Sequence, residues 1–294
     1  MLLTLVGPTA VGKTALAIRL AQQQGGAIVV ADPRQMYQGL DLGTAKPTAE
    51  ERALAPHYLV DSLAPTASFS AGDFERLMRA RLPAWLDQYP LVIVVGGATL
   101  YMDALWFGLD DMPEVPEVLR ADLQAEYEAQ GLSPLLTELA RVDPTTYARI
   151  DRRNPARVLR ALAVYRASGQ PISAFQRGRK LRDFGVPHQA IALHDERAAL
   201  YARIDRRVEQ MVTEGLEDEV RGLLAQGLAP HSQALQSIGY QEWLPYFAGE
   251  YDRTEAIRLI QRNSRRYAKR QLTYWRRYDF LQWHRPGEPV PLVG

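Results

Sequence analysis

The chain has no cysteine, which excludes a disulfide framework and any thiolate metal site. Its five histidines (His57, His188, His194, His231, His284) are scattered, without the short spacing that places two imidazoles on one metal. No apolar run reaches the ~20 residues that a membrane-spanning helix needs. No repeat or low-complexity segment interrupts it. Net charge is only +1, so overall electrostatics favour neither nucleic acid nor an acidic surface. What is left, 47% hydrophobic and 23% charged over 294 residues, is the composition of a soluble globular protein of one large or two smaller domains. The first residues run as an apolar strand into a glycine-rich loop, so a cleavable leader is not expected, and the setting expected is the cytoplasm.

That loop is Gly7, Pro8, Thr9, Ala10, Val11, Gly12, Lys13 and Thr14. It fits G-x-x-x-x-G-K-[ST], preceded by the apolar run Leu2 to Val6 and followed by a helix-compatible stretch, which is the context the pattern requires. Glycines let the backbone wrap a phosphate with its N–H groups, and the helix that follows adds its positive end. Lys13 brings a charge to the phosphate oxygens, and Thr14 offers a hydroxyl to Mg²⁺. A di- or triphosphate ligand follows.

Further β-type runs occur at Ala27 to Ala31, Tyr58 to Val60, Leu91 to Val95 and Gln189 to Leu193, separated in the first third by helical stretches such as Ala71 to Trp85. This alternation predicts an α/β fold, a P-loop NTPase-like parallel sheet flanked by helices. Near Asp110 the composition turns acidic and proline-rich, and from there to about Phe184 the pattern is helical and polar. The expected organisation is a core of residues 1–112 plus 189–284, a helical insertion over 113–188, and a loose tail over 285–294. In a parallel sheet, ligands sit beyond the carboxyl ends of the strands. Asp32, after the second strand, therefore shares a rim with the phosphate loop and can accept a proton there. Gly96 and Gly97, after the fourth strand, permit close backbone approach at the same rim.

Charge is uneven along the chain. Arg258, Arg262, Arg265, Arg266, Lys269, Arg270, Arg276 and Arg277 lie between Glu255 and Asp279 with no acid among them. On one helix, Arg258, Arg262, Arg265, Lys269 and Arg276 fall within about 60° of one another, with Ile260, Tyr267, Tyr274 and Tyr278 on the opposite side. Such a stripe suits phosphate contacts. A second basic cluster, Arg149, Arg152, Arg153, Arg157 and Arg160, lies in the insertion.

Taken together, Gly7–Thr14, Asp32–Pro47, His57–Asp61, Val95–Tyr101, Asn154–Leu162, Arg207-Val208 with Met211, Gly215-Leu216, Ser237–Tyr240 and Lys269–Arg276 resemble the tRNA dimethylallyltransferases of bacterial type, in the family's order and from end to end. The resemblance implies transfer of the dimethylallyl group of dimethylallyl diphosphate to N6 of the adenosine next to the tRNA anticodon, with release of diphosphate. It implies Asp32 as catalytic base, and Gly7 to Thr14 with Arg207 around the diphosphate of the prenyl donor rather than around ATP. Contacts to the tRNA anticodon arm are implied for Asp32, Pro33, Arg34, Gln35, Ala98, Arg120, Ala156, Arg157, Val158, Leu159, Arg160, Ser237, Ile238, Gly239 and Tyr240. The same holds for Lys269, Arg270, Gln271, Leu272, Thr273, Tyr274, Trp275 and Arg276. Mg²⁺ is the one metal implied, and a monomer is the usual state. Three positions depart from the family pattern: Pro33 stands where serine is usual, Ala98 where threonine is, and Gln236 where many relatives are basic. The rival reading is a P-loop nucleoside or nucleotide kinase, whose lid arginines the insertion could supply, although a basic C-terminal helix has no use there.

Overall fold

The computed structural model describes residues 1–176 and 178–292. It divides into two compact units, Met1–Trp106 with the chain from Arg182 onward, and Phe107–Leu181. Both borders fall earlier than the composition shift suggests. The apolar helix around Leu105-Trp106 runs up to the boundary, and Arg182 is held in the first unit by its N–H on Trp106 O (2.6 Å) and its guanidinium on Glu75 (2.6 Å).

In chain order the first unit begins with β1 (Leu2–Val6), α1 (Lys13–Gln24), β2 (Ala27–Val30), α2 (Ala49–Ala53), β3 (His57–Tyr58), α3 (Ala71–Gln88), β4 (Val92–Val95) and α4 (Thr99–Phe107). The second unit contributes α5 (Glu117–Gln130), α6 (Leu132–Val142), α7 (Pro144–Arg149), α8 (Pro155–Ser168) and α9 (Ile172–Phe175). The first unit resumes with β5 (His188–Leu193), α10 (Arg197–Thr213), α11 (Leu216–Ala225), α12 (Trp243–Phe247), α13 (Arg253–Trp275) and β6 (Gln282–His284).

All pairings are parallel, in the order β3-β2-β4-β1-β5-β6. Runs such as Ala-Ile-Val-Val and Val-Ile-Val-Val are buried at every position, as a sheet covered on both faces requires. β1 lies in the middle of the sheet, so the phosphate loop leaves its centre, and the ends of β2 and β4 open beside it. Of the five strands read from the sequence, four form within a residue of the expected bounds; the third forms at His57–Tyr58 and not over Tyr58 to Val60, because Leu59 turns left-handed (φ 65°) and ends it. β6 was not anticipated, because three residues ending in Trp-His carry no periodicity. The tail is also less loose than expected. Val290 and Leu292 pack on the main core, and Gln189 Nε2 donates to Pro291 O (3.0 Å); Val293 and Gly294 lie outside the described residues.

The second unit has its own core of Leu123, Leu135, Leu139, Val158 and Leu162 from α5, α6 and α8. Asp143 caps α7 and Asn154 caps α8, each with proline at the first turn, an arrangement that fixes helix starts. Arg166 forks to Glu126 (2.7 Å) and Glu138. No helix among the described residues is long and apolar enough to cross a membrane.

A polar thread runs through the first unit's core. Trp106 Nε1 donates to Thr4 Oγ1 (3.1 Å), which meets His188 Nε2 at 3.0 Å. Burial lowers the His188 pKa from 6.5 to about 4, so the native ring is neutral. The unfolded chain binds a proton at pH values where the native state does not, so this group's contribution is lost as pH falls from about 6.5 towards about 4. Denaturant midpoints measured in steps across that window should fall more steeply for the wild type than for His188→Gln. Identical slopes would remove His188 from the acid response.

Candidate active site

The phosphate loop is shaped by left-handed backbone at Ala10 (φ 61°) and Gly12 (φ 100°) and by Gly7 at φ 147°. A Cβ on Gly7 would come within 2.8 Å of Leu193 O. α1 begins directly after the loop with no side-chain cap and no acid in its first turn, so its leading N–H groups are left for an anion. Lys13 Nζ folds back onto Gly7 O (3.0 Å) and Pro8 O (2.8 Å). Burial, reinforced by the nearby Arg207 charge and partly offset by Asp32, brings the Lys13 pKa down to about 7. Arg203 braces the loop from α10: its Nε donates to Ala10 O (3.0 Å) while it pairs with Asp195 (2.7 Å).

Two chambers meet at this loop. The larger, about 630 Å³, is lined by Gly12, Lys13, Thr14, Gln35 and Arg207. The second, about 370 Å³, is lined by Pro33, Val208, Met211, Ser237, Ile238, Ile260 and Arg270. Thr9, Asp32, Thr44, Arg207 and Tyr267 belong to both. Asp32 Oδ1 accepts the Arg34 N–H (2.9 Å), which orients the carboxylate, and its other oxygen accepts nothing from the described residues. Arg207 likewise has no hydrogen-bond or ion-pair partner among the described residues; burial lowers its pKa while Asp32 opposes that. Burial raises the pKa of the Tyr267 phenol, and the Asp32 charge adds to the rise.

The wall between Asp41 and Lys46 is held from outside. The Glu219 carboxylate on α11 accepts the N–H groups of Asp41 (3.2 Å), Leu42 (2.8 Å) and Gly43 (3.3 Å) and the Tyr240 hydroxyl. Gly43 has no side chain because the Tyr240 ring occupies the space a Cβ would need. The Gly-Thr-Ala-Lys and Ser-Ile-Gly-Tyr segments, far apart in sequence, are thus one structure. Lys46 is buried, donates to Tyr37 O (2.8 Å) and pairs with Asp41 and Asp61, so it staples the wall. Nothing in the sequence singled out Glu219; an acid in the first turn of a helix reads as ordinary dipole compensation.

Several residues expected at an RNA surface have other work. The side chains of Val158, Tyr240, Gln271 and Trp275 are buried. Leu159 joins the second unit's core and Leu272 the first unit's. Tyr274 donates to the buried Asp103. Arg34 donates to Gln233 O and Gln236 O, and Gln35 to Thr44 O (3.1 Å) and Ala45 O (3.2 Å). Ala98 starts α4, its carbonyl accepting the Met102 N–H (3.1 Å), and does not line either chamber. Arg120 is exposed but paired with Glu117 (3.3 Å).

The basic stripe also needs correction. Arg258 pairs with Glu255 one turn earlier, and Arg265 with Asp205 on α10; partners from another element are invisible to helical arithmetic. Arg262, Lys269 and Arg276 of the stripe have no ion-pair partner among the described residues, and neither do Arg266, Arg270 and Arg277 on an adjacent face. Arg266, Lys269, Arg270, Thr273, Tyr274 and Arg277 line a surface groove of about 430 Å³, with Arg277 over the Tyr274 ring at 3.9 Å. Arg270 lines both this groove and the second chamber. Arg276 is exposed nearby. In the second unit, Ala156, Arg157 and Arg160 are exposed, as are Arg149, Arg152 and Arg153.

The sequence profile of IPP transferases matches residues 35–278. A tRNA dimethylallyltransferase of Cytophaga hutchinsonii is 46% identical over 97% of this chain and 93% of its own length. That of Trichlorobacter lovleyi is 44% identical over 96% and 92%. The crystal structure of a full-length tRNA isopentenylpyrophosphate transferase from Bacillus halodurans superposes with a TM-score of 0.70 at 39% identity, covering 97% of this chain and 89% of that one. A eukaryotic dimethylallyltransferase caught acting on tRNA shares the fold at a TM-score of 0.77 and 23% identity. With the phosphate loop, the flanking carboxylate and a match along nearly its whole length, the chain belongs to the tRNA dimethylallyltransferase (IPP transferase) family.

Proposed function

We propose that the protein transfers the dimethylallyl group of dimethylallyl diphosphate to N6 of the adenosine at position 37, beside the anticodon of tRNA. The observation that carries this reading is that Asp32 and Arg207 form a common wall of two chambers, one holding Gly12, Lys13 and Thr14 of the glycine-rich loop and one sharing Arg270 with a basic groove. The donor's diphosphate rests on the loop N–H groups, Lys13 and Arg207, with C1 turned towards Asp32. Adenine cannot reach such a depth while stacked, so the nucleotide is extruded into the second chamber, at least cost from a single-stranded loop.

The exocyclic amine is a weak nucleophile because its lone pair is delocalised into the ring. As the N6–C1 bond forms, the C1–O bond to diphosphate breaks, and Asp32 takes the N6 proton. Positive charge growing at C1 spreads over the allylic system, while negative charge on the leaving oxygens meets fixed donors that need no reorganisation. Mg²⁺ fits the residues present: the Thr14 hydroxyl makes no hydrogen bond to the described residues, and this ion is commonly held by one protein oxygen, substrate phosphates and water. When bound it neutralises part of the leaving group's charge. We read the exposed α13 cations and the Arg149–Arg160 cluster as sites for the anticodon arm's phosphates, and the working enzyme as a cytoplasmic monomer. The kinase alternative leaves the α13 groove without a role.

Mass analysis of nucleosides should reveal N6-dimethylallyladenosine after unmodified tRNA is incubated with the protein, Mg²⁺ and dimethylallyl diphosphate without ATP. Asp32→Ala should lower the rate by about 10²- to 10⁴-fold, the usual worth of a positioned base. Phosphate transfer from labelled ATP to a nucleoside, with no prenylated product, would establish the kinase instead. The depressed Lys13 pKa gives a second test. Its free form loses its proton above about pH 7, whereas a bound diphosphate favours the charged form. Titration calorimetry with pyrophosphate should therefore show proton uptake and an affinity falling about tenfold per pH unit above that value. A pH-independent affinity between 7 and 9 would exclude this role for Lys13.

A further inference from the structure

Gln271 belongs to the Lys-Arg-Gln run that the family resemblance assigns to RNA, yet its side chain is almost wholly buried. Its carboxamide spans two backbones. Oε1 accepts the N–H of Thr9 in the phosphate loop (2.9 Å), and Nε2 donates to Gly97 O in the turn after β4 (3.0 Å). The Thr9 N–H makes no other hydrogen bond among the described residues, and loop N–H groups turned towards an anion cannot also pair within the loop. Gly97 is complementary: a Cβ there would overlap the Gln271 amide nitrogen while meeting nothing else closer than 3.5 Å. The orientation of the amide is also determined, because the opposite assignment would set its NH₂ against the Thr9 N–H and its oxygen against the Gly97 carbonyl.

We propose that Gln271 is a positioning residue for the diphosphate cradle and makes no contact with RNA. It fixes the direction of the Thr9 N–H and the spacing between the loop and the β4 turn, and so sets the cradle that the remaining loop amides and Lys13 present to the donor. This rests on the loop binding the donor's diphosphate, as the functional reading has it. The neighbouring Lys269 and Arg270 are exposed on the same helix and keep the RNA role.

The test measures two affinities separately on the full-length protein, pyrophosphate with Mg²⁺ by calorimetry and unmodified tRNA by filter binding. Gln271→Met keeps the buried volume and removes both hydrogen bonds. It should weaken pyrophosphate about tenfold or more, and raise KM for dimethylallyl diphosphate in parallel, while tRNA affinity stays within about twofold. Gly97→Ala pushes the carboxamide away from the other side and should reproduce that split, so the proposal does not rest on one variant that might misfold. Unchanged pyrophosphate affinity in both variants, or a loss confined to tRNA, would overturn the assignment. A wild-type protein that bound no pyrophosphate would overturn the functional reading and this inference together, an outcome visible before any variant is made.

Discussion

A loop that offers most of its N–H groups to an anion cannot be held in shape by main-chain hydrogen bonds of its own. The rest of this molecule is organised around that constraint. β1 delivers the loop from the centre of a sheet buried on both faces, the most rigid support available. Braces then come from elements remote in sequence: Arg203 on α10 holds Ala10 O, and Gln271 on α13 holds the Thr9 N–H. Lys13 fastens the loop's carbonyls and leaves the amides open. The concentration of buried positive charge is tolerated because Lys13 gives up much of its proton affinity in the free protein, and because the Asp32 carboxylate lies opposite.

The wall from Asp41 to Lys46 follows the same logic with a different device. It lines the larger chamber and, through Gly43, Thr44 and Ala45, the second, and it has little regular structure, so one carboxylate on α11 collects three consecutive N–H groups. A buried ammonium collects a carbonyl and two carboxylates. Each arrangement satisfies groups that would be costly to bury unpaired. Together they let irregular backbone stand at a cavity edge with the definition of a helix or strand.

Much of this was legible from the residues. The loop, its flanking strand and helix, the parallel sheet and the position of Asp32 follow from local pattern and from the rule that ligands gather at the carboxyl ends of parallel strands. Side-chain partnership across distant elements was not legible. Arg265 looked free because Asp205 is on another helix, and Gln271 looked like an RNA contact because it stands between cations and polar residues. Glu219 carried no signal at all. β6 was too short to show a period, and the tail docks through Val290, Leu292, the Pro291 carbonyl and the Arg285–Glu196 pair, none of which has a local pattern. Pro33, a departure from the family pattern, lines the second chamber, whereas Ala98, the other departure beside the site, starts a helix outside both chambers.

The bond between Thr9 and Gln271 joins residues 262 positions apart. During synthesis at about 5–20 residues per second, the phosphate loop leaves the ribosome roughly 13 to 50 s before the helix that braces it. Over that interval the nascent chain carries a loop rich in open amides without the support that gives it a fixed shape. The candidate site is therefore a product of the last part of translation, and a chain cut short before α13 would hold every residue of the glycine-rich motif without the Gln271 brace on Thr9.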